Sequence, residues 1–224
     1  MIEAQGMTRA AHGDMRRGKL SGSMAKDLMS GSFRTWNRML KALREPHPFF
    51  GVGPNTPAPL RWGKEHEDRA LAIWWDKHPA LDLMNPVCVA YRGEDPVWQR
   101  NVVTSPDRVI YDPLKGSVTH GLEAKCPYNP NTMPKWVMSG GCPPEHYDQC
   151  AFGSLVTGIP WVFVAYDPRM AEENELFEVE VLVPQSYLDE MFEKGTRFLL
   201  MLEGGGEFQP TSRQAAKLKE MFSQ

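Results

Sequence analysis

The stretch at residues 105–126, S-P-D-R-V-I-Y-D-P-L-K-G-S-V-T-H-G-L-E-A-K-C, limits what this chain can fold into more than any other. An apolar run carrying Asp107 leads to a turn signal at Asp112-Pro113 and Gly116, and a second run ends in Glu123-Ala124-Lys125. Residues i and i+2 of a strand project from the same face. Val118, His120, Leu122 and Ala124 are therefore expected on one face, and Thr119, Gly121, Glu123 and Lys125 on the other. Pairing of the two runs as a hairpin would bring Asp107 beside Glu123 and Lys125. Two hard oxygen ligands suit Mg²⁺, which keeps several waters and takes further ligands from substrate phosphate. Lys125 would orient or deprotonate an attacking water. The alternative is a surface hairpin whose Asp, Glu and Lys form an exposed ion pair worth little. Taken alone, a D…ExK pattern with a loose gap favours that alternative, unless the rest of the chain supplies partners.

The chain is long enough, at 224 residues, for one large domain or two small ones with a sizeable core. No apolar run reaches membrane-spanning length, and residues 1–19 lack the apolar segment of a signal peptide. A cytoplasmic protein is expected, with no membrane partner. Cys88, Cys126, Cys142 and Cys150 show no C-x-x-C spacing and are expected as reduced thiols. The formal net charge of -3 argues against a uniformly basic nucleic-acid binder, but the charge is uneven. Residues 1–44 hold nine Lys/Arg against three acids, so they carry +6 and residues 45–224 carry -9. A basic N-terminal portion could grip phosphates while the acidic remainder supplies metal ligands. A solvated helix surface fits the same charges equally well.

Periodicity supplies the other elements. Ser21 or Ser23 is expected to cap a helix through Met24, Leu28 and Met29. Residues 33–44 place Trp36, Met39, Leu40 and Leu43 at helical spacing. Residues 45–60, with five prolines and two glycines, read as a loop. At 61–78 a helix aligns Glu67 with Ala70, Leu71 and Trp74. A carboxylate on such a stripe is costly unless paired, protonated or metal-bound, or unless the helix start leaves it exposed. Strands are expected at 87–91, 97–103, 109–111, 161–166 and 176–183, with Pro106 marking a bulge or edge beside Asp107. Residues 127–144 read as a long loop, where Trp136 serves nucleic-acid contact or packing. Pro143-Pro144 opens a helix through about Val156, with Gln149 off its packing stripe. Ser186 is expected to cap a helix to Leu202, and a short amphipathic helix spans 211–222. Strands in the centre with helices on both sides indicate an α/β fold.

The motif S-P-D…L-E-A-K-C-P at 105–127, the helix W-G-K-E-H-E at 62–67 and the strand F-V-A-Y-D-P-R-M at 163–170 resemble the phage lambda exonuclease-like, YqaJ-type viral recombinase family. That family lies within the PD-(D/E)XK nuclease superfamily, and the likeness spans residues of about 10 to 200. It implies a single nuclease domain over 1–224: a basic helical portion (1–50), a catalytic core (61–183) and C-terminal helices (184–224). The implied core is restriction-endonuclease-like, a central mixed β-sheet flanked by helices. The implied activity is Mg²⁺-dependent, processive degradation of one strand of duplex DNA from its 5′ end. One or two metals act per site, with Mn²⁺ as a substitute. The implied partners are double-stranded DNA ends, two further copies in a homotrimeric ring, and a single-strand annealing protein of recombination.

The resemblance assigns Asp107 and Glu123 as metal carboxylates, Ala124 as a ligand through its backbone carbonyl, and Lys125 as the catalytic lysine. Glu67 matches the acid of the preceding helix, and Gln149 a glutamine that positions water or phosphate. Arg16, Ser23 and Ser105 fall where the family binds a terminal 5′-phosphate, and Leu60 where an apolar wedge parts the terminal base pair. The chain also departs from the pattern. Gly153 stands where related nucleases often have the tyrosine of Q-x-x-x-Y. Residues 128–135 lack the arginine expected after the C-P pair, leaving Lys135 or nothing in its place. The gap from Asp107 to Glu123 is also longer. Two rivals remain, an endonuclease on the same scaffold and a non-catalytic DNA-binding subunit.

Overall fold

The structure, a computed structural model, describes residues 14–46, 56–85, 88–170 and 175–209. The chain enters through strand β1 (Leu20–Ser21), a 3₁₀ turn (Gly22–Met24) and helices α1 (Ala25–Met29), α2 (Phe33–Arg44) and α3 (Ala58–Lys77). Strands β2 (Asp82–Met84) and β3 (Val89–Ala90), helix α4 (Pro96–Asn101) and strands β4 (Val102–Thr104), β5 (Arg108–Asp112) and β6 (Ser117–Lys125) follow. Helices α5 (Thr132–Ser139) and α6 (Pro144–Thr157) lead to β7 (Trp161–Tyr166), β8 (Leu176–Val181) and α7 (Gln185–Glu203). The helix expected at 211–222 lies outside the described residues.

Five strands form the main sheet in the order β2-β5-β6-β7-β8, and three short strands form a second, β1-β4-β3. In the main sheet β6 and β7 run parallel and the other pairs antiparallel, so the sheet is mixed. A parallel neighbour requires a crossover, and α5 and α6 supply it. Helix α3 covers one face, where Leu71 and Trp74 pack on Ile110, Leu122, Ala124, Val162 and Val164. On the other face Met133 and Trp136 of α5 and Cys150 of α6 pack on Trp161, Phe163 and Ala165. Behind α6 the N-terminal helices, α4 and α7 close the largest cluster around Trp36, Trp98, Phe152 and Phe198. This is the α/β mixed sheet flanked by helices that the sequence implies.

Several local expectations need correction. Residues 96–101 are helical, not part of a strand, because Asp95 accepts from the Val97 and Trp98 N–H groups at 2.9 and 3.0 Å and Pro96 opens the helix. The segment 127–144 contains α5, whose Trp136 is buried and edge-packed on Phe163, so it is a packing anchor. Ser21, Ser23 and Ser186 cap no helix through their side chains, and the main-sheet irregularity lies between Ile110 and Tyr111 instead of beside Pro106. The basic N-terminal portion is partly structural. Arg44 donates to the carbonyls of Met201 and Gly206 at 2.7 and 2.8 Å, and Arg38 pairs with Asp27 at 3.1 Å.

Candidate active site

The β5–β6 register builds the site. Arg108 stands opposite Leu122, which brings Asp107 level with Glu123. The Asp107 N–H donates to the Leu122 carbonyl at 2.9 Å, and Asp107 Oδ2 accepts from the Ala124 N–H at 2.8 Å. Leu122 and Ala124 are spent on the α3 face, so Glu123 and Lys125 project toward α6. There Gln149 Nε2 and Lys125 Nζ both donate to Glu123 Oε1. Lys125 Nζ also lies 3.2 Å from the Ala124 carbonyl oxygen. The other carboxylate oxygen, Glu123 Oε2, is buried and has no hydrogen-bond partner among the described residues. From α3 the Glu67 carboxylate acts electrostatically on both Glu123 and Cys126, and it is held by Lys64 at 2.7 Å.

Burial pushes the Glu123 carboxyl up to about 7, and the charges of Asp107 and Glu67 add to the rise against the opposing pull of Lys125. Burial acts to lower Lys125, but Glu123 and Asp107 outweigh it and keep the amine firmly protonated. Burial together with the Lys125 charge drives His146 down to about 4, leaving a neutral ring stacked on Phe163. The Cys126 thiol is pushed up to about 12, chiefly by burial, so it is no nucleophile at neutral pH. Sequence reasoning missed His146, and nothing in its spacing marks it.

A buried carboxylate oxygen with no donor, flanked by two further carboxylates, is an environment that a divalent cation would relieve. The donor set is hard oxygen, which fits Mg²⁺ or Mn²⁺. Asp107, Glu123 and the Ala124 carbonyl would hold the ion, with Glu67 as a further oxygen donor. Among the described residues no group of three His, Cys, Asp or Glu already stands at metal-ligand spacing. The cation-free carboxyl has a testable consequence. A carboxyl whose folded pKa lies above its unfolded value stabilises the fold below about pH 4.5 and loses that contribution as pH rises through about 7. Chelated protein should therefore lose melting temperature across this window relative to the Glu123→Gln variant. Parallel melting curves of the two from pH 5 to 8 would contradict the assignment.

The residues expected at a 5′-phosphate gather nearby. Arg16 Nη2 lies 3.2 Å from Ser23 Oγ and 3.4 Å from Ser21 Oγ, and the two hydroxyls are 3.2 Å apart. β1 pairs with β4, which brings this turn to the strand leading into Ser105. Ser105 Oγ is buried beside the Cys88 thiol, on which both a Ser105 hydrogen bond and the Arg16 charge act. A Cβ on Gly22, between the two serines, would stand 3.4 Å from Gln149 Cγ, so this cluster adjoins the carboxylates. Leu60 projects from the first turn of α3 with 64% of its surface exposed.

The Gly153 departure has a steric cause. A Cβ there would lie 2.2 Å from the Trp161 indole, and a Cβ on Gly121 would lie 2.5 Å from it. Trp161 thus fills the space that a tyrosine at 153 would need. Gly→Ala in a helix ordinarily stabilises, but Gly153→Ala should instead cost about 1–3 kcal/mol by overpacking. A denaturant midpoint at or above that of the unmodified protein would refute this.

Asp107, Glu123 and Lys125 stand together on one β-hairpin, in a mixed sheet covered by helices. The YqaJ-like viral recombinase domain model matches residues 12–160, and the chain belongs to that family. No curated protein matches it. Its fold is similar to that of an alkaline exonuclease (LHK-Exo) from Laribacter hongkongensis, with 23% identity and a TM-score of 0.72 over 92% of this chain and 97% of that one. LHK-Exo in complex with dAMP is similar at 24% identity and 0.71, with the same coverage. A phage related exonuclease from Haemophilus somnus 129PT is similar at 13% identity and 0.55, over 86% of this chain and 97% of that one. Among the described residues no helix is long and apolar enough to cross a membrane.

Proposed function

We propose that the chain is a Mg²⁺-dependent exonuclease. It digests one strand of duplex DNA from its 5′ end and leaves 3′ single-stranded overhangs for recombination by strand annealing. The observation that carries this reading is the unpartnered, buried Glu123 Oε2 beside Asp107 and Glu67, with Lys125 and Gln149 on the opposite oxygen. A bound divalent cation would polarise the scissile phosphate and lower the pKa of a bound water. The protein supplies the rest. Asp107, held by the Ala124 N–H, and Glu123, held by Gln149, present oxygens in fixed positions. Protonated Lys125 orients the attacking water by hydrogen bonding and offsets the charge that develops on the phosphate. Gln149 keeps the Glu123 carboxylate turned so that Oε2 faces the site. The proposal extends to a ring-shaped homotrimer, a single-strand annealing partner and a cytoplasmic location. A ring suits a chain of net charge -3, because topology holds the duplex where diffuse attraction would not.

End recognition falls to Arg16, Ser23 and Ser105 in this reading. A phosphate dianion is well held by a guanidinium fork with hydroxyl donors. Arg16 already has two hydroxyls about its Nη2, and Gly22 ties that cluster to Gln149. Phosphate capture would then set the distance to the scissile bond. Arg16→Ala is expected to slow single-turnover digestion of 5′-phosphorylated duplex at least about tenfold more than digestion of 5′-hydroxyl duplex. Arg17→Ala, whose cation pairs with Asp14 at 3.0 Å, should affect both substrates alike. Equal slowing of the two substrates by Arg16→Ala would remove the phosphate pocket. Cleavage of a closed circular duplex would instead favour an endonuclease.

A further inference from the structure

The turn after β6 carries an aromatic side chain that the proposed chemistry leaves unused. Tyr128 lies three residues past Lys125 and exposes 51% of its surface. Its backbone is pinned by one guanidinium. Arg169 donates to the Tyr128 and Pro127 carbonyls, each at 2.9 Å. Arg169 is itself gripped by both oxygens of buried Asp167 at 2.7 Å, and its guanidinium lies 4.6 Å from the centre of the Trp62 ring. Trp62 packs edge-on toward Tyr128, with centroids 6.1 Å apart. On α3, Trp62 follows the exposed Leu60 by two residues and precedes Glu67 by five. Arg169 therefore fixes the main chain at Tyr128, and Trp62 of α3 meets its exposed ring edge-on, three residues past Lys125. An ordered main chain and the Trp62 contact restrict the ring before any ligand arrives, and its apolar face left in water forgoes burial. A flat apolar ligand laid on that face would recover the burial at little further entropic cost.

We infer that Tyr128 is a stacking platform for a nucleobase of the strand being cut, receiving the terminal base once it has left its partner beside Leu60. The inference rests on the exonuclease reading and adds a substrate contact to it. Stacking uses the π-face that every base has, so the platform tolerates any sequence, as an enzyme working along DNA requires. The phenol hydroxyl is dispensable for this role and the ring is not.

The test uses the full-length protein and a 5′-phosphorylated duplex whose terminal base on the digested strand is 2-aminopurine. Binding is followed in a Lys125→Ala background with Mg²⁺, where cutting is blocked. With tyrosine or Tyr128→Phe the fluorescence should stay low, because the separated base stacks on the ring. With Tyr128→Ala the separated base should brighten. With Lys125 present, Tyr128→Ala should raise KM about tenfold and change kcat much less, whereas Tyr128→Phe stays within about twofold. The melting temperature should hold in both variants, since the ring is half exposed. Low fluorescence and unchanged KM with Tyr128→Ala would overturn the inference and leave the exonuclease reading intact. Equal losses with phenylalanine and alanine would also overturn it, by pointing to the hydroxyl. If the unmodified protein left linear duplex uncut, the exonuclease reading would fail and the platform with it.

Discussion

Lys125→Ala is expected to lower single-turnover hydrolysis of linear duplex at least about a thousandfold, within the range for losing a positioned proton-handling group that also offsets transition-state charge. Its ammonium is the cation that hydrogen-bonds Glu123, and the charges of Glu123 and Asp107 hold it protonated. It is therefore a donor to water and phosphate at neutral pH, and general-base action would first require loss of a tightly held proton. Removal also deprives the buried Glu123 carboxylate of its cationic partner, so metal binding should demand higher pH in the variant. Lys125→Arg keeps the charge but replaces a compact ammonium with a planar fork, and should recover little rate. Rapid-quench assays with excess enzyme would read the chemical step directly. Near-normal turnover in Lys125→Ala would show that this hairpin is not the catalytic centre.

Arg169→Ala should produce the largest loss of stability among the substitutions considered. Burial acts to raise the Asp167 carboxyl, but the hydrogen bonds and charge of Arg169 outweigh it and hold the acid below the usual carboxylate range. Truncating Arg169 strands an Asp167 side chain that is 1% exposed and frees the carbonyls of residues 127 and 128. Breaking a fully buried pair costs about 3–5 kcal/mol. The guanidinium here is 35% exposed, so about 2–3 kcal/mol is expected after solvent screening. For a chain of this length that is roughly 5–10 °C in Tm. Arg169→Lys should restore only part, since one ammonium cannot span two carboxylate oxygens and two carbonyls. Removing the stranded charge with Asp167→Asn in the Arg169→Ala background should regain stability. A Tm unchanged by Arg169→Ala would mean that these contacts contribute nothing net.

The parts legible in the sequence are those set by local period. Residues 33–44, the 105–125 hairpin and residues 161–166 have the expected elements, because one buried face fixes each pattern. Asp107, Glu123 and Lys125 converge because strand parity holds over 120–125, whereas nearer the turn a register shift puts Val118 on the Val109 face, away from the Leu122 face where the sequence places it. Residues 96–101 misled because V-W-Q-R-N-V-V is rich in β-formers, although Asp95-Pro96 carried a helix-start signal. Helix α5 was hidden by its internal Pro134 and by the Pro, Asn and Gly around it. The rest depends on contacts distant in sequence. The Y-D-P-R-M string is visible at 166–170, yet nothing local says that its arginine reaches back to residues 127 and 128. Likewise the glycine four residues after Gln149 makes sense only once Trp161 lies against it.

The activity proposed for this protein is polarity-specific, metal-dependent digestion from a duplex end. The direct measurement is a time course on linear duplex labelled at either the 5′ or the 3′ terminus of one strand, with Mg²⁺ or with chelator. Release of the 5′ label as the first mononucleotide, with the 3′ label retained on shortening single strands and no cleavage under chelation, is the predicted result. Early release of the 3′ label, or internal fragments from a closed circle, would contradict the account.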